Sequence, residues 1–301
     1  MKITLKRYKP SPIPSIFPIP EYLADEELKQ IYNETKQHLQ VPWMGVVTMA
    51  FAHYPLFFKT LWNGIKEIVS SQEFVFACRE LRDFTEELVK ELEPKLILNE
   101  LETKGYAKQE IESILEINEI FSHGNMPYII IASIARLLLE GNEISIKSNY
   151  NKFKEWHGPS KEKRLILLEQ HHVDEETFNT FESIKSTINL PFLNTDYRAF
   201  ARWPTYFNHA WTGLKNKIQT TLYEKQVSLV HDFAIEKALS LPNPASLTSA
   251  KLIIACKNTN QYEEIKEVVS LFQWLLPGLA TNVSYLRAQL NGLSLKRKWI
   301  K

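Results

Sequence analysis

The chain has few of the residues that mark β-rich or disulfide-stabilised proteins. Only nine glycines and two cysteines occur in 301 residues, and the alternating apolar–polar pattern of half-buried strands is scarce. This shortage argues against a β-sheet fold. The two cysteines, Cys78 and Cys256, lie 178 positions apart and form no Cys-x-x-Cys motif. We therefore interpret them as free thiols in a reducing compartment.

Charge imbalance and long apolar runs are also missing. The 36 lysines and arginines balance 35 aspartates and glutamates, which leaves no basic excess for binding nucleic acid. No stretch approaches the roughly 20 apolar residues that span a bilayer. Residues 1–20 contain five prolines and no continuous apolar core, unlike a signal peptide. We expect a cytoplasmic protein without a nucleic-acid or membrane partner, and a solvated basic tail at 296–298.

An ungapped internal repeat is the main feature that the sequence does contain. Residues 25–66 align with residues 174–215 at a constant offset of 149, and 13 of the 42 pairs are identical. Pro127 and Pro277, which are 150 positions apart, extend the similarity to most of each half. The repeat predicts an all-α fold of two tandem helical repeats related by a pseudo-twofold axis, with the active-site cleft between them.

The repeat also divides the chain into segments. The proline-rich start predicts an extended segment, because proline fixes φ and disfavours a helical residue before it. The mixed charge and the Gly158-Pro159 pair between the halves predict a linker, with a short helix at 161–170. The predicted segments are an extended N-terminal segment at 1–20, a first helical repeat at 21–140, a linker at 141–172 and a second helical repeat at 173–301.

The residues that begin and end helices occur at the same positions in both copies and predict the same helices there. Asp25 and Asp174 have the residue type and position of N-caps. The helix that begins after each aspartate is expected to end before a proline, Pro42 in the first copy and Pro191 in the second. The further predictions are second helices at 44–52 and 193–201, third helices from Pro55 and Pro204, helices at 72–93 and 222–240, and long apolar helices at 115–139 and 265–290.

One aligned pair breaks the symmetry of the repeat, since Val47 in the first copy aligns with Asp196 in the second. The valine indicates that this position faces an apolar interior, where a carboxylate needs a partner or a chemical role. The alternative is a capping aspartate in the first turn after Pro191. The residues alone leave both interpretations open.

Asn125 and Tyr128 form the second unrepeated feature. A spacing of three places them on one helical face, and Leu275 and Gly278 stand at the equivalent positions of the second copy. The alternative is a core tyrosine next to an amide at a helix break. The adjacent pair His171-His172 lacks metal-ligand spacing, and no Cys/His ligand set accompanies it. We therefore predict neither a metal nor a cofactor.

Together these features resemble the DehI family, the group I 2-haloacid dehalogenases that act on both enantiomers. The resemblance covers nearly the whole chain. It rests on the duplicated all-α architecture, the segment Asp-Tyr-Arg-Ala-Phe-Ala-Arg-Trp-Pro at 196–204 and the Asn-x-x-Tyr at 125–128. It implies hydrolysis of small 2-haloalkanoic acids to 2-hydroxy acids with inversion, by direct attack of a water molecule.

The resemblance also implies roles for individual residues. Asp196 activates the water and Asn125 holds it, with no metal or organic cofactor, and the partners are a small 2-halocarboxylic acid and water. Asn194 is larger than the small residue expected at its position. A homodimer is left open. The residues expected to bind the substrate are Tyr128, Trp43, Val46, Asn194, Thr195, Ala199 and Phe272. The alternative function is a non-catalytic helical protein that binds small carboxylic acids.

Overall fold

The computed structural model describes residues 5–160 and 165–291, and within them the fold is all-α. Twelve α-helices are accompanied by two single-turn 3₁₀ helices, at Glu21–Leu23 and Gln170–His172, and by one isolated bridge between Ser71 and Lys152. The α-helices are α1 Glu26–Leu39, α2 Val46–Ala52, α3 Pro55–Val69, α4 Gln72–Lys90, α5 Leu98–Thr103, α6 Lys108–Leu139, α7 Glu175–Ile188, α8 Thr195–Phe200, α9 Pro204–Ile218, α10 Thr221–Ser240, α11 Ser249–Asn258 and α12 Tyr262–Asn291.

The predicted helix signals are confirmed at the start of each half. The Asp25 side chain accepts a hydrogen bond from Leu28 N at 2.8 Å, and Asp174 accepts one from Thr177 N at 2.8 Å. Each helix ends on a left-handed residue, Gln40 or Asn189. The bounds of α7 and α9 are those of α1 and α3 shifted by 149 positions. The pseudo-twofold axis and the division into segments stay predictions.

Several predicted helix bounds were wrong. α2 and α8 begin at residues 46 and 195 instead of 44 and 193, because Gly45 and Asn194 have extended backbone conformations. The short helices α5 and α11 were not predicted, and α6 begins seven residues earlier than residue 115. Residues 161–164 of the predicted linker helix lie outside the described residues, and residues 165–169 are not helical. The basic cluster at 296–298 also lies outside them.

The two longest helices form the centre of the core. α6 and α12 pack against each other and against α4 and α10. Asn118 Nδ2 on α6 donates to the carbonyl of Val283 on α12 at 2.9 Å. Both helices continue past an internal proline, Pro127 or Pro277. In the described part of the chain, no helix has an apolar stretch sufficient to cross a bilayer.

The N-terminal segment lies extended across both halves over residues 5–20. Ile19 N donates to the carbonyl of Met49 at the end of α2, at 3.0 Å. Lys9 Nζ donates to the carbonyls of Ile188 and Asn189 at the end of α7, at 2.9 and 2.6 Å. Residues 1–4 lie outside the described part, and the boundary of the predicted segment at residue 20 stays a prediction.

Candidate active site

The two predicted catalytic side chains meet in the interior. Asn125 Nδ2, in the middle of α6, donates a hydrogen bond to Asp196 Oδ1, in the first turn of α8, at 2.9 Å. Both side chains are buried. Asn125 Oδ1 has no hydrogen-bond partner among the described residues. The pair therefore offers acceptor oxygens to a small polar molecule.

Burial alters the acid–base behaviour of Asp196. Desolvation raises the pKa of this carboxyl to about 7, while the hydrogen bond from Asn125 lowers it. Desolvation is the larger effect, because the charged form loses its hydration in the interior. A carboxyl with a pKa near neutral pH can both accept and release a proton there. The carboxyl bonds to its own backbone N–H in the first turn of α8 and, in addition, to Asn125 on another helix, which a capping role does not require.

Tyr128 fixes the loop that precedes α2. Its hydroxyl accepts a hydrogen bond from Gly45 N at 2.9 Å and donates to the carbonyl of Trp43 at 3.3 Å. The Trp43 ring packs edge-on against Tyr128, with centroids 6.1 Å apart, and against Phe121, at 5.1 Å. Tyr128 thus holds Trp43 beside the face of α6 that carries Asn125.

Gly124 is required for this arrangement. A Cβ atom at Gly124 would lie 2.2 Å from the Trp43 ring, so any side chain there would displace the ring. Gly45 is similarly restricted, because its Cβ would lie 2.7 Å from the Tyr128 ring. The sequence analysis missed both glycines. Two features of the sequence could have pointed to them: glycine is rare in this chain, and Gly124 directly precedes Asn125.

Three of the other predicted substrate residues lie on or next to α8, the helix that carries Asp196. Thr195 and Ala199 lie on α8 with Asp196, and Asn194 is the N-cap of this helix. The Asn194 side chain is buried but makes no capping hydrogen bond.

Val46 and Phe272 lie on other helices. Val46 is half-buried at the start of α2. Phe272 on α12 packs edge-on against Phe51, with ring centroids 6.0 Å apart. Within the described residues, neither Val46 nor Phe272 makes a hydrogen bond or ring contact to Asn125 or Asp196.

The described part of the chain offers no evident metal site. Residues 5–160 and 165–291 contain no group of three or more His, Cys, Asp or Glu side chains placed to hold a metal ion. The rings of His171 and His172 lie 3.9 Å apart on the 3₁₀ turn between the halves, and both residues are exposed.

Comparisons with known proteins identify relatives over nearly the whole length. The chain is 41% identical over 255 residues to an (R)-2-haloacid dehalogenase of Rhizobium sp. (strain NHG3), covering 84% of this chain and 99% of the relative. It is 32% identical over 280 residues to an (R)-2-haloacid dehalogenase of Pseudomonas putida, covering 91% and 92%. A configuration-inverting 2-haloacid dehalogenase of Pseudomonas sp. (strain 113) is 22% identical over 236 residues, which cover 75% of each protein.

No family model matches the chain. Solved structures with a similar fold are also 2-haloacid dehalogenases. A crystal structure of a D-2-haloacid dehalogenase mutant superposes with a TM-score of 0.86 at 30% identity, covering 95% of this chain and 99% of that one. A complex of D-2-haloacid dehalogenase with L-LA gives the same TM-score, identity and coverage. The chain therefore belongs to the family of 2-haloacid dehalogenases.

Proposed function

We propose that this protein hydrolyses small 2-haloalkanoic acids to 2-hydroxy acids and halide, by direct attack of a water molecule. One observation carries the proposal: a buried carboxylate, Asp196, is joined by a 2.9 Å hydrogen bond to the Asn125 amide in a chain whose relatives are named 2-haloacid dehalogenases. Asp196 is the base, and Asn125 orients the water.

The hydrogen bond leaves two oxygens for the attacking water. Because Asn125 Nδ2 donates to Asp196 Oδ1, Asn125 Oδ1 and the second carboxylate oxygen can each accept one proton of the same water. The lone pair of the water is then directed away from the pair, towards the substrate carbon. Asp196 takes the proton as the carbon–oxygen bond forms and the carbon–halogen bond breaks. Holding the reactants in this geometry can contribute on the order of 7–11 kcal/mol.

The start of α8 supplies donors for the substrate carboxylate. Asn194 makes no capping hydrogen bond, and the first backbone bond into the helix is donated by Arg198 N to the carbonyl of Asn194, at 3.4 Å. The N–H groups of Thr195 and Tyr197 therefore have no acceptor within the helix. The aromatic ring of Trp43 and the methyl group of Ala199 supply apolar surface for the halogen and the alkyl substituent.

We propose that the (R) enantiomers are the preferred substrates and that each is converted with inversion. Inversion follows from attack opposite the carbon–halogen bond by a single water. The relatives at 41% and 32% identity are named for the (R) enantiomer. The second candidate is activity on both enantiomers, and a relative at 22% identity is named for inversion without naming either enantiomer.

Halide release from (R)- and (S)-2-chloropropionate and from monochloroacetate tests the proposal. We expect release from (R)-2-chloropropionate and monochloroacetate, with slower release from the (S) enantiomer. Equal rates for both enantiomers would favour the second candidate. Absence of halide release from all three compounds, by folded protein that still binds them, would instead indicate a helical protein that only binds small carboxylic acids.

The cellular location and assembly are part of the same proposal. The cysteines Cys78 and Cys256 are unpaired thiols, which supports a reducing, cytoplasmic environment. A homodimer stays a prediction, and the molar mass in solution measured by light scattering tests it.

A further inference from the structure

A cavity whose lining includes neither Asn125 nor Asp196 lies in the second half of the chain. It encloses about 180 Å³ between the end of α7, the start of α10 and the middle of α12, on the order of six water molecules by their share of liquid volume. Ile218, Leu275 and Leu279 supply an apolar wall, and the polar lining consists of Arg7, Thr187, Tyr197, Tyr223, Glu224 and Asn282.

The cavity occurs where one large side chain of the first repeat is missing from the second. At the offset of 150 positions set by Pro127 and Pro277, Gly278 is equivalent to Tyr128. The Tyr128 ring fills its space and is fully buried. At Gly278 the nearest atoms to a built Cβ are Tyr223 Oη, at 3.4 Å, and Arg7 Nη2, at 3.8 Å. The second half therefore keeps open a space that the first half fills.

A cationic donor faces this space. Arg7 Nε donates to the carbonyl of Trp274 at 3.1 Å, and Nη1 pairs with the Glu224 carboxylate. Nη2 has no hydrogen-bond partner among the described residues and lies on the side of Gly278. Only 6% of the Arg7 side chain is exposed, and a guanidinium remains charged even when partly buried. Arg7 thus presents a fixed positive donor inside the cavity.

Two tyrosines complete the polar end. Tyr223 Oη donates to Asn282 Oδ1 at 2.8 Å, and Asn282 Nδ2 donates to Tyr197 Oη at 2.8 Å. Tyr197 Oη accepts this bond, and its own proton has no acceptor among the described residues. The hydroxyl proton of Tyr197 and Arg7 Nη2 are therefore two donors that line one small cavity.

We propose that this cavity is a binding site for a small aliphatic monocarboxylate, separate from Asn125 and Asp196. The carboxylate accepts hydrogen bonds from Arg7 Nη2 and Tyr197 Oη, and a short alkyl chain lies against Leu275 and Leu279. Glu224 beside Arg7 repels any anion, and because the repulsion grows with charge it disfavours dianions more than a monocarboxylate. The apolar wall favours a carboxylate with an alkyl group over a bare halide ion. The proposal does not depend on the chemistry at Asp196.

Propionate tests the site, with two variants and one matched control. Arg7→Met removes the cation at similar length, and Gly278→Leu fills the cavity without changing Arg7. Lys6→Met removes one positive charge from the neighbouring exposed residue and serves as the control. Crystals soaked in sodium propionate locate the ligand, calorimetric titration gives its affinity, and thermal unfolding shows which variants are folded.

We expect propionate density between Arg7 and Tyr197 in the wild type and in Lys6→Met. Arg7→Met and Gly278→Leu should lose this density, and their affinity for propionate at the cavity should fall at least tenfold. Density restricted to the Asn125–Asp196 pair, or equal affinity in Arg7→Met and Lys6→Met, overturns the inference. Halide release is measured separately. If the cavity binds propionate but the protein releases no halide, the proposed function is wrong and the inference about the cavity stands.

Discussion

Asn125 on α6 and Asp196 on α8 are 71 positions apart in the chain, and a buried 2.9 Å hydrogen bond joins their side chains. Each residue has an apolar or unrelated counterpart in the other repeat: Leu275 for Asn125 and Val47 for Asp196. The catalytic arrangement that we propose is therefore assembled once from two similar halves.

Replacing Asp196 by asparagine should abolish halide release, because an amide cannot accept a proton from water. The fold should be retained, since asparagine has nearly the same shape. The matched change at the repeat-equivalent position, Val47→Ala, should lower the free energy of unfolding by about 1–2 kcal/mol and retain activity. Halide release and urea unfolding of both variants provide the measurements, and near-normal turnover by Asp196→Asn would contradict the role of Asp196 as base.

Ionisation of Asp196 should raise the catalytic rate and lower the free energy of unfolding as the pH rises. The pKa of this carboxyl is about 7 in the folded protein and about 3.9 in an unfolded chain. Between these values the folded state holds a proton that the unfolded state has lost, so rising pH lowers the free energy of unfolding. The catalytic rate should rise over the upper part of this range, because the base must be ionised.

The Asp196→Asn variant isolates the contribution of this carboxyl to stability. It should be more stable than the wild type at pH 8, where Asp196 is charged and buried, and the difference should shrink towards pH 4. Chemical unfolding of both proteins across this range measures the difference. A variant that is less stable than the wild type at pH 8 would show that ionised Asp196 is better compensated than we infer.

Removing the Tyr128 hydroxyl should loosen the loop that carries Trp43. Tyr128→Phe leaves Gly45 N without its acceptor, and a buried unpaired donor costs about 1–3 kcal/mol. We expect a lower free energy of unfolding together with a higher KM. Tyr54→Phe removes a hydroxyl that bonds to Glu264 at 2.8 Å and serves as the control. Equal effects of the two changes on KM would argue against a role for Tyr128 in the site.

Shortening Asn194 should alter the preference between enantiomers. Its side chain is buried beside the catalytic helix but makes no capping hydrogen bond, so Asn194→Ala should cost little stability. The space that it vacates should raise kcat/KM for (S)-2-chloropropionate relative to the (R) enantiomer. Steady-state kinetics with both enantiomers provides the test, and an unchanged ratio would show that another residue sets the preference.

The sequence predicted the parts of the fold that depend on local chemistry. Capping aspartates and helix-ending prolines placed α1 and α7, and the unrepeated Asp196 and Asn125 are joined by a hydrogen bond in the structure. Contacts between distant segments could not be predicted in this way. The bond from Gly45 N to Tyr128 joins residues 83 positions apart, and the contact of Gly124 with Trp43 depends on how the loop before α2 packs on α6. The roles of the individual site residues stay predictions.

The most direct test of the proposed mechanism is a single turnover in ¹⁸O-labelled water with enzyme in excess over (R)-2-chloropropionate. Attack by a water that Asp196 activates places the label in the hydroxy acid during this first turnover, leaves the protein unlabelled and gives the inverted (S) product. An aspartyl ester intermediate would instead give an unlabelled first product and a labelled Asp196 carboxylate. Label in the protein, or retention of configuration, would contradict the account.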